Sequence, residues 1–374
     1  MTPQPADTRT APTPLARKLI RRIAAHGPIP VRDYMAACLN DPEAGYYRTA
    51  RPFGREGDFI TAPEISQVFG ELLGLWAASV WRQMGAPGSV ALIELGPGRG
   101  TLSADALRAA KALPEFRAAI RLHLVETSPV LREMQAQTLK DVPEAGWHDA
   151  LEAVPDGPAI ILANEFLDAL PVHQLVRCGG EWRERCVGYD AQHGLHFVEG
   201  APADFAAFGR DLLPGDSAEN AIAELRPETG RLLGEIARRG CAAPQAGLFI
   251  DYGHTEAPIG DTLQAVSGHR YAGVFDAPGE HDLTAHVDFR ALARQAKAAG
   301  FETFGPMAQG RFLLQLGMEA RCRSLLRVAT PNQQEAIMSG VRRLADPVQM
   351  GELFKAMAIT IGFSEAPPPF GDQQ

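Results

Sequence analysis

The sequence predicts an α/β fold in which a mostly parallel β-sheet is flanked by helices. From residue 90 onward, short apolar runs alternate with longer helical stretches, and this alternation is typical of successive βαβ units. A glycine-rich turn, ELGPGRGTL, joins the first apolar run to a helix. A later run, AIILAN, ends abruptly in polar residues, as strands do where an α/β sheet binds a ligand.

Each predicted strand is a short apolar run bounded by helical or turn sequence. The runs are 90–95, 120–126, a weak third strand or turn at 146–149, 159–164 and 247–253. Helices are expected after the first two runs, in LSADALRAAKAL and SPVLREMQAQTL, and the alternation resumes at 283–362. HQLVRC and WRERCVGY, with Gly179 and Gly180 between them, predict a β-hairpin.

The sequence ahead of the sheet predicts an N-terminal helical extension that includes a lid. Within it, FGREGDFITAPEIS is typical of a loop before a helix, and Thr61 with Glu64 forms a capping-box pattern. The expected division is a disordered tail at 1–14, a helical region and lid at 15–85, a main domain at 86–362 with an inserted helical and β-hairpin subdomain at about 190–240, and a loose tail at 363–374.

The amino-acid composition excludes some classes of function and favours one kind of cellular compartment. The 45 acidic residues exceed the 36 Lys and Arg residues, and a net charge of -9 argues against non-specific nucleic-acid binding. The five cysteines are odd in number and lack CxxC spacing, which disfavours a disulfide framework and a zinc site and favours a reducing compartment. No apolar run approaches the roughly 20 residues that a membrane span needs. The basic segment 1–25 fits either a transit peptide or a frayed tail with an ordinary helix, and we favour the latter.

The glycine turn after the first strand is the strongest signal of a small-molecule site. Gly96, Gly98 and Gly100 permit positive φ and a close approach of the backbone to a ligand, and the helix beyond offers unpaired N–H groups. The spacing departs from the dinucleotide fingerprint GxGxxG, because the third glycine comes one residue early. The pattern, which begins at Glu94, therefore suits a ligand that has no pyrophosphate.

A carboxylate follows the second strand. Glu126 ends IRLHLVE, and an acid at this place can accept hydrogen bonds from both hydroxyls of a ribose. The alternative is an exposed glutamate at the end of a strand. Together with the glycine turn, the ribose role is favoured.

The glycine turn and Glu126 together resemble the class I S-adenosylmethionine-dependent methyltransferases. The resemblance implies a Rossmann-like class I methyltransferase fold, with the glycine turn under the methionine part of the cofactor and the acid on its ribose. It implies that His148 and Asp149 lie where the adenine is held, with a simple turn as the alternative. It also implies that Asn164 and Glu165, after the fourth strand, face the transferable methyl group.

A narrower resemblance covers nearly the whole chain, from about residue 15 to 362. Six segments occur in the order typical of the MidA-like methyltransferase family: GREGDFITAPEISQVFGELLG, ELGPGRGTL, VETSP, ANEFLDALPVHQ, FIDYG and LTAHVDF. The family includes the mitochondrial arginine methyltransferase that assists assembly of respiratory complex I. The resemblance implies S-adenosyl-L-methionine as cofactor and a protein arginine ω-N-methyltransferase that forms symmetric dimethylarginine on a protein substrate, in mitochondria a complex I subunit.

The same resemblance bears on the compartment. The high alanine, arginine and glycine content is typical of a bacterial chain, which implies a cytoplasmic enzyme. A eukaryotic source would imply the mitochondrial matrix. In a bacterium the substrate stays open between a complex I-type subunit and another protein, and the oligomeric state stays open, with a homodimer as one alternative.

Two carboxylates after the fourth strand are the candidate catalytic groups. An arginine guanidinium is fully protonated at neutral pH and is a poor nucleophile. Carboxylates can hold it in a bidentate fork and turn one nitrogen toward the methyl group. Glu165 and Asp168 share a face if NEFLDALP forms a helical turn, with Glu165 as the more direct ligand. The alternative is that Asp168 caps the turn before Pro171 and that Glu165 is solvated.

Further polar residues are weaker candidates. Asn164 is expected near the amino group of the cofactor, and Asp58, in the loop before the capped helix, either reaches that group or stabilises a turn. Asp251 ends a later strand at the same edge of the sheet. His286 and Asp288 either line the substrate groove or are structural, and we favour the structural alternative.

Two other classes of function are weighed against a methyltransferase. A nicotinamide dehydrogenase is disfavoured by the glycine spacing and by the lack of an evident hydride-transfer set. A non-catalytic, cofactor-binding assembly chaperone would keep the fold and lose the chemistry. The intact set of Gly96, Gly98, Gly100 and Glu126 argues against the chaperone.

Overall fold

The computed structural model of the protein describes residues 11–49, 61–142, 144–204, 213, 217–256, 259–268 and 270–372. Thirteen helices in these residues are α1 Pro14–His26, α2 Val31–Asn40, α3 Tyr46–Thr49, α4 Ala62–Ile65, α5 Gln67–Gln83, α6 Thr101–Ala110, α7 Pro114–Ala119, α8 Pro129–Thr138, α9 Pro227–Gly240, α10 Phe289–Ala298, α11 Gln309–Gln315, α12 Met318–Leu326 and α13 Pro331–Ala345. None of these helices is long and apolar enough to span a membrane.

The strands fall into one central sheet and two smaller ones. They are β1 Ile29–Pro30, β2 Val90–Leu95, β3 Ile120–Val125, β4 Gly146–His148, β5 Ala159–Asn164, β6 His173–Cys178, β7 Glu181–Asp190, β8 Gly194–Pro202, β9 Ile222–Leu225, β10 Gln245–His254, β11 Gln264–Ser267, β12 Arg270–Ala272, β13 Asp282–Thr284, β14 Val287–Asp288, β15 Glu302–Ala308 and β16 Phe354–Ile361.

The central sheet has the strand order β15-β16-β10-β5-β2-β3-β4, and β14 pairs with the end of β10. All neighbouring pairs are parallel except those of β16, which runs antiparallel to both β10 and β15. The weak third strand is real, because β4 pairs with β3. The predicted α/β fold is confirmed. The chain order reverses between β2 and β5, so a crevice opens there at the carboxyl ends of the strands.

Strand β5 lies at the centre of the sheet and is buried on both faces. Its alternate side chains enter two different cores, because successive residues of a strand point to opposite faces. Ile160 and Leu162 pack in the core beneath α5 and α6. Ile161 and Ala163 pack in the core beneath α9 and α10. This double burial explains why AIILAN is a continuous apolar run rather than an alternating one.

The smaller sheets draw their strands from three parts of the chain: β1 precedes the central sheet, β6 to β9 lie between β5 and β10, and β11 to β13 follow β10. One contains β1, β6, β7, β8 and β9, and the other contains β11, β12 and β13. The predicted hairpin is confirmed, since β6 and β7 pair antiparallel up to Cys178 and Glu181. The predicted limits of the insertion, about 190–240, are wrong. Strands fill most of 173–225, and α9 packs Leu233 and Ile236 into the core of the main sheet.

The N-terminal region divides between the two parts of the molecule. Helices α1 and α2 share a core with the small sheets, whereas α5 lies against α6 on the central sheet. The predicted capping box is wrong, because Thr61 makes no side-chain cap bond and α4 ends at Ile65. Ser66 is extended, with φ of -157°, and its hydroxyl caps α5.

Both segments that were predicted to be loose tails contain residues with defined structure. Helix α1 begins at Pro14, and the Thr13 hydroxyl caps it by accepting a hydrogen bond from Ala16 N at 3.0 Å. Residues 1–10 lie outside the described residues. At the other end, Phe370 is only 6% exposed and packs on Phe312. The loose tail predicted for 363–374 is therefore wrong as far as residue 372.

The contact between α5 and α6 requires a residue without a side chain. A Cβ atom at Gly74 would lie 2.6 Å from the carbonyl oxygen of Ala106. We therefore expect Gly74→Ala to destabilise the protein by about 1–3 kcal/mol, because the helices must separate. Gly234→Ala is the matched control, since a Cβ there meets nothing within 4 Å. Alanine has a higher helix propensity than glycine, so this control variant should be stabilised by up to about 1 kcal/mol. Chemical denaturation of both variants measures the free energy of unfolding. Equal changes in this free energy for the two variants would contradict the prediction.

Candidate active site

A cavity of about 470 Å³ lies at the carboxyl ends of β2, β3, β4 and β5. This is the crevice where the order of the strands reverses, and the volume lies in the range of small-molecule sites, roughly 300–1,000 Å³. Five predicted site residues line it: Gly96, Gly98, Glu126, Asp149 and Glu165. The topology therefore brings together residues that are far apart in the sequence.

The glycine turn forms the floor of the cavity. Gly96, Gly98 and Gly100 have φ of 64°, 54° and 78°, which are left-handed values that favour glycine. Gly96 N donates to the carbonyl of Val125 at 3.1 Å, which joins the turn to the end of β3. A Cβ at Gly96 would lie 2.8 Å from Cδ2 of Phe166, so the turn packs directly against the segment after β5.

Glu126 is buried directly after β3 and lines the cavity. Its Oε1 accepts from Ser128 N at 2.7 Å and its Oε2 from Gln135 Nε2 at 3.3 Å. Burial raises the pKa of Glu126 above its ordinary value. The same Gln135 nitrogen donates to the carbonyl of Gly98 at 2.8 Å, and its Oε1 accepts from Trp147 Nε1 at 2.9 Å.

Gln135 is thus a residue of the site that the sequence analysis missed. It is fully buried on α8 and links the glycine turn, Glu126 and β4. A signal was present in the sequence. Gln135 stands four residues after Leu131 on the inward face of α8, where a polar side chain needs internal partners.

His148 and Asp149, the two residues predicted to lie at the adenine end, have different surroundings. Asp149 lines the cavity and forms an ion pair with Arg132 at 2.8 Å. His148 is not among the lining residues, and its Nε2 lies 3.0 Å from Nδ1 of His123. Burial lowers the pKa of both histidines, that of His123 to about 4, so two neutral rings can share one hydrogen bond. The role of His148 at the adenine end stays a prediction.

Glu165 stands at the junction of the cavity and a narrow pocket beside it. Its Oε1 accepts hydrogen bonds from Ala62 N at 2.8 Å and from Asn164 Nδ2 at 3.1 Å. Its φ is 49°, an uncommon value for a residue with a side chain. Burial raises the pKa of Glu165 to about 7. This carboxyl group is therefore poised between its neutral and charged forms near neutral pH.

The narrow pocket is acidic. Glu64, Glu94, Asn164 and Glu165 line it together with the glycine turn. Glu94 accepts a hydrogen bond from the Ser103 hydroxyl, and burial raises the pKa of Glu94 to about 8. Among the described residues, the buried Oδ1 of Asn164 has no hydrogen-bond partner. It is an open acceptor that a ligand N–H could satisfy.

Glu64 is the second site residue that the sequence analysis missed, because it was assigned to a capping box. Its carboxylate instead accepts from the Thr101 hydroxyl at 2.5 Å and from Arg99 Nη1 at 3.3 Å. These contacts fasten α4 to the glycine turn. Asp58, which was predicted to lie nearby, is outside the described residues.

Asp168 does not stand beside Glu165 in the cavity. Residues 165–170 form a turn and not the predicted helical face. Asp168 is buried, lines neither pocket and interacts with the Tyr252 hydroxyl. Burial raises the pKa of Asp168. The prediction that Asp168 grips the same ligand as Glu165 through a shared helical face is therefore wrong.

Hydrogen bonds to the Asp251 carboxylate hold this turn in place. Its Oδ2 accepts hydrogen bonds from the backbone N–H groups of Phe166, Leu167 and Asp168 at 3.2, 2.9 and 3.2 Å. Asp251 is 1% exposed and lies three residues before the end of β10. The carboxylate predicted to face a ligand instead organises the segment that carries Glu165.

His286 and Asp288 lie outside the lining of the two pockets around the glycine turn. The Asp288 carboxylate caps α10 by accepting from Ala291 N at 2.8 Å, as the favoured structural alternative expects.

The packing of the glycine turn generates a test of cofactor binding. Gly96→Ala would push Phe166 out of its place, whereas a Cβ at Gly100 meets only ordinary contacts of 3.5 Å. Both positions have positive φ, so both variants carry similar backbone strain. We expect Gly96→Ala to weaken S-adenosylhomocysteine binding at least about tenfold, and Gly100→Ala to weaken it by less, as measured by calorimetry. Equal affinities of the two variants would show that the contact with Phe166 is unimportant.

Comparison with known proteins agrees with this geometry. Residues 72–307 match the family model described as "Putative S-adenosyl-L-methionine-dependent methyltransferase". A Drosophila melanogaster relative, "Protein arginine methyltransferase NDUFAF7 homolog, mitochondrial", is 40% identical over 93% of this chain and 85% of its own length. The Homo sapiens protein arginine methyltransferase NDUFAF7 is 37% identical, over 93% of this chain and 83% of its own length.

A solved structure extends the match to the fold and the cofactor. A Burkholderia thailandensis protein bound to S-adenosyl-homocysteine has a TM-score of 0.80 and 28% identity, and the match covers 96% of both chains. The cradle at Gly96, the buried acid Glu126 and the open acceptor on Asn164 fit such a ligand. S-adenosyl-L-methionine is therefore the cofactor of this enzyme. The chain belongs to the MidA-like family of S-adenosyl-L-methionine-dependent methyltransferases.

Proposed function

We propose that the enzyme methylates a guanidinium nitrogen of an arginine in another protein and forms symmetric dimethylarginine. The observation that carries this proposal is the place of Glu165, whose carboxyl group lies where the cofactor cavity meets the acidic pocket. In its charged form, the Glu165 carboxylate attracts a cationic side chain. The printed names of the relatives, protein arginine methyltransferases, agree with this acceptor.

For the cofactor, we assign each part to residues of the large cavity. The backbone of Gly96 and Gly98 approaches the methionine part, Glu126 accepts from the ribose hydroxyls, and Asp149 lies at the adenine end. The Oδ1 of Asn164 accepts from the amino group. When bound, the cofactor supplies a methyl group that is activated by a sulfonium charge.

Glu165 has two tasks in this mechanism. As a carboxylate it holds the guanidinium and orients one nitrogen for in-line attack, and orientation is the main requirement of such a displacement. The bonds from Ala62 N and Asn164 Nδ2 fix Oε1 and so fix the direction of the group. After transfer, the carboxylate accepts the proton that the methylated guanidinium releases, since its pKa of about 7 suits proton transfer near neutral pH.

A second acid is available, although it is not the expected one. Glu64 lines the narrow pocket from α4. We propose that Glu64 completes the guanidinium site. Asp168 then acts as a positioning residue, because its backbone N–H is held by Asp251 in the turn that carries Glu165.

We further propose a respiratory complex I-type subunit as the protein substrate. The mitochondrial names of the relatives support this assignment, as does the family resemblance. The composition supports a bacterial source and hence the cytoplasm as the compartment, with the mitochondrial matrix for a eukaryotic source. We propose a homodimer as the assembly.

The central test is the variant Glu165→Gln, which keeps the size of the side chain and an acceptor oxygen for Ala62 N. We expect it to bind S-adenosylhomocysteine within about threefold of wild type but to lose arginine methylation, because a neutral amide cannot hold a cation in a charged fork. Mass spectrometry of arginine methylation in cells that lack the gene, complemented with each variant, measures the loss. Glu133→Gln, an exposed acid on α8, is the control and should restore methylation. Methylation restored by Glu165→Gln would contradict the guanidinium role.

The raised pKa of Glu165 predicts opposite effects of pH on activity and on stability. Because the charged form holds the acceptor, kcat/KM should rise from about pH 6 to 8 and then level. The folded pKa of about 7 exceeds the ordinary value of 4.5, so folding favours the protonated form. Its contribution to stability is therefore present below pH 4.5 and falls as the pH rises toward 7. Glu165→Gln should remove this fall in melting temperature, and a flat kcat/KM profile would contradict the assignment.

A further inference from the structure

The helices near the end of the chain carry most of the large apolar side chains that face solvent. Nine such side chains are exposed in the described part of the chain, and five of them lie within residues 314–353. These five are Leu314, Val328, Met338, Val348 and Leu353. We call α11, α12, α13 and residues 346–353 the helical lobe. A concentration of exposed apolar side chains is typical of a surface that binds another protein.

The helical lobe is firmly attached to the rest of the molecule. Gln309 Nε2, in α11, donates to a carbonyl in the last turn of α13 at 2.9 Å. Arg321, in α12, forms an ion pair with the buried Glu71 of α5 at 2.6 Å. A Cβ atom at Gly351 would clash with the carbonyl oxygen of Ala345, so the segment after α13 packs closely against its end. The exposed apolar side chains therefore stand on a defined surface.

The surface of α12 and α13 is positively charged, although the chain as a whole is acidic. Residues 318–345 contain five arginines and two glutamates, whereas the whole chain has 36 basic and 45 acidic residues. Two of these arginines, Arg321 and Arg323, form ion pairs with glutamates. Arg327 and Arg342 are exposed and form no ion pair within the described ranges. Their charges are available to an acidic partner.

The helical lobe adjoins the candidate acceptor site. A Cβ atom at Gly340 in α13 would lie 2.8 Å from the carbonyl oxygen of Ile65, the last residue of α4. Helix α4 also carries Glu64, which lines the narrow pocket. Burial raises the pKa of Glu165 to about 7, and the charge of Arg343, one turn beyond Gly340, opposes this rise. A protein bound on the lobe would therefore lie beside the pocket proposed to receive an arginine.

A second copy of this chain suits the helical lobe less well than a different protein does. In a symmetric dimer both copies present the same face, so the arginines of one lobe would meet those of the other. Like charges that are brought together at an interface oppose association, whereas acidic groups of a partner would pair with the arginines. The homodimer proposed above would accordingly use another face.

We propose that the helical lobe is the docking surface for the protein that is methylated, and that this protein presents an apolar patch rimmed by acidic residues beside its target arginine. Interfaces of this kind have an apolar centre and are enriched in methionine and arginine. The inference rests on the proposed function, because the docked protein is the methyl acceptor. The lobe then selects the protein, and the pocket selects the arginine.

Transfer of radiolabelled methyl groups by the full-length enzyme to proteins in an extract of cells that lack the gene tests the lobe. One variant reverses charge, with Arg327→Glu and Arg342→Glu. The other makes the apolar surface polar, with Val328→Asp and Val348→Asp, at side chains that are 85% and 91% exposed. We expect each variant to lower the initial rate of transfer at least about tenfold at low extract concentration, because docking is weakened. Calorimetric affinity for S-adenosylhomocysteine should stay within about twofold, since none of these residues lines the cofactor cavity.

Two controls change exposed residues on other faces. Arg290→Glu with Lys297→Glu, on α10, makes the same change of charge as the first lobe variant. Tyr271→Asp, on β12, removes an apolar side chain that is 82% exposed. Both controls should transfer label within about twofold of the wild-type rate, as is usual for surface substitutions away from a binding site.

The identity of the labelled residue separates docking on the lobe from the proposed function. Label on arginine that both lobe variants transfer at the wild-type rate would contradict docking and leave arginine methylation standing. Label on another type of residue, lost in both variants, would support docking and contradict arginine methylation. The absence of label on any protein with wild-type enzyme would overturn both. Analytical ultracentrifugation adds a further test, since a wild-type dimer that becomes monomeric in the Val328→Asp and Val348→Asp variant would assign the lobe to a second copy and overturn the proposal.

Discussion

The active site depends on one buried carboxylate that accepts three backbone hydrogen bonds. Asp251 receives the N–H groups of Phe166, Leu167 and Asp168, which would otherwise be unsatisfied donors at the end of a buried strand. Each such donor costs about 1–3 kcal/mol when it is left unpaired. The cap lets the chain turn sharply after β5, and that turn carries Glu165 at positive φ. The conformation of the segment that follows Glu165 therefore depends on a residue 83–85 positions away in the chain.

The same arrangement concentrates acids in a region with little water. Burial raises the pKa of Glu94, Glu165, Asp168 and Asp251, and Asp168 and Glu165 further raise that of Asp251. Such a cluster lowers stability, since folding must desolvate groups that repel one another when charged. A sulfonium cofactor and a guanidinium acceptor are both cations and would relieve this repulsion. The buried acids therefore lower the stability of the folded protein and favour the binding of positively charged ligands.

The sequence predicts the features that depend on local pattern. The glycine turn and Glu126 follow from strand, turn and helix signals in adjacent residues, and the mostly parallel sheet follows from the same α/β alternation. The orientation of Asp168 could not be predicted, because the cap that excludes a helical turn comes from Asp251 on another strand. Ser66 likewise breaks a helix whose apolar spacing continues unbroken. The role of Gln135 could not be predicted either, because it depends on three segments that meet at its buried amide group.

The N-terminal region contributes contacts to the candidate site through helix α4. Ala62 N donates to the Glu165 carboxylate, and Glu64, on the same short helix, binds Thr101 and Arg99 beside the glycine turn. Helix α4 therefore contacts both the segment after β5 and the glycine turn. A movement of α4 would alter the direction of the Glu165 carboxylate and the width of the acidic pocket together.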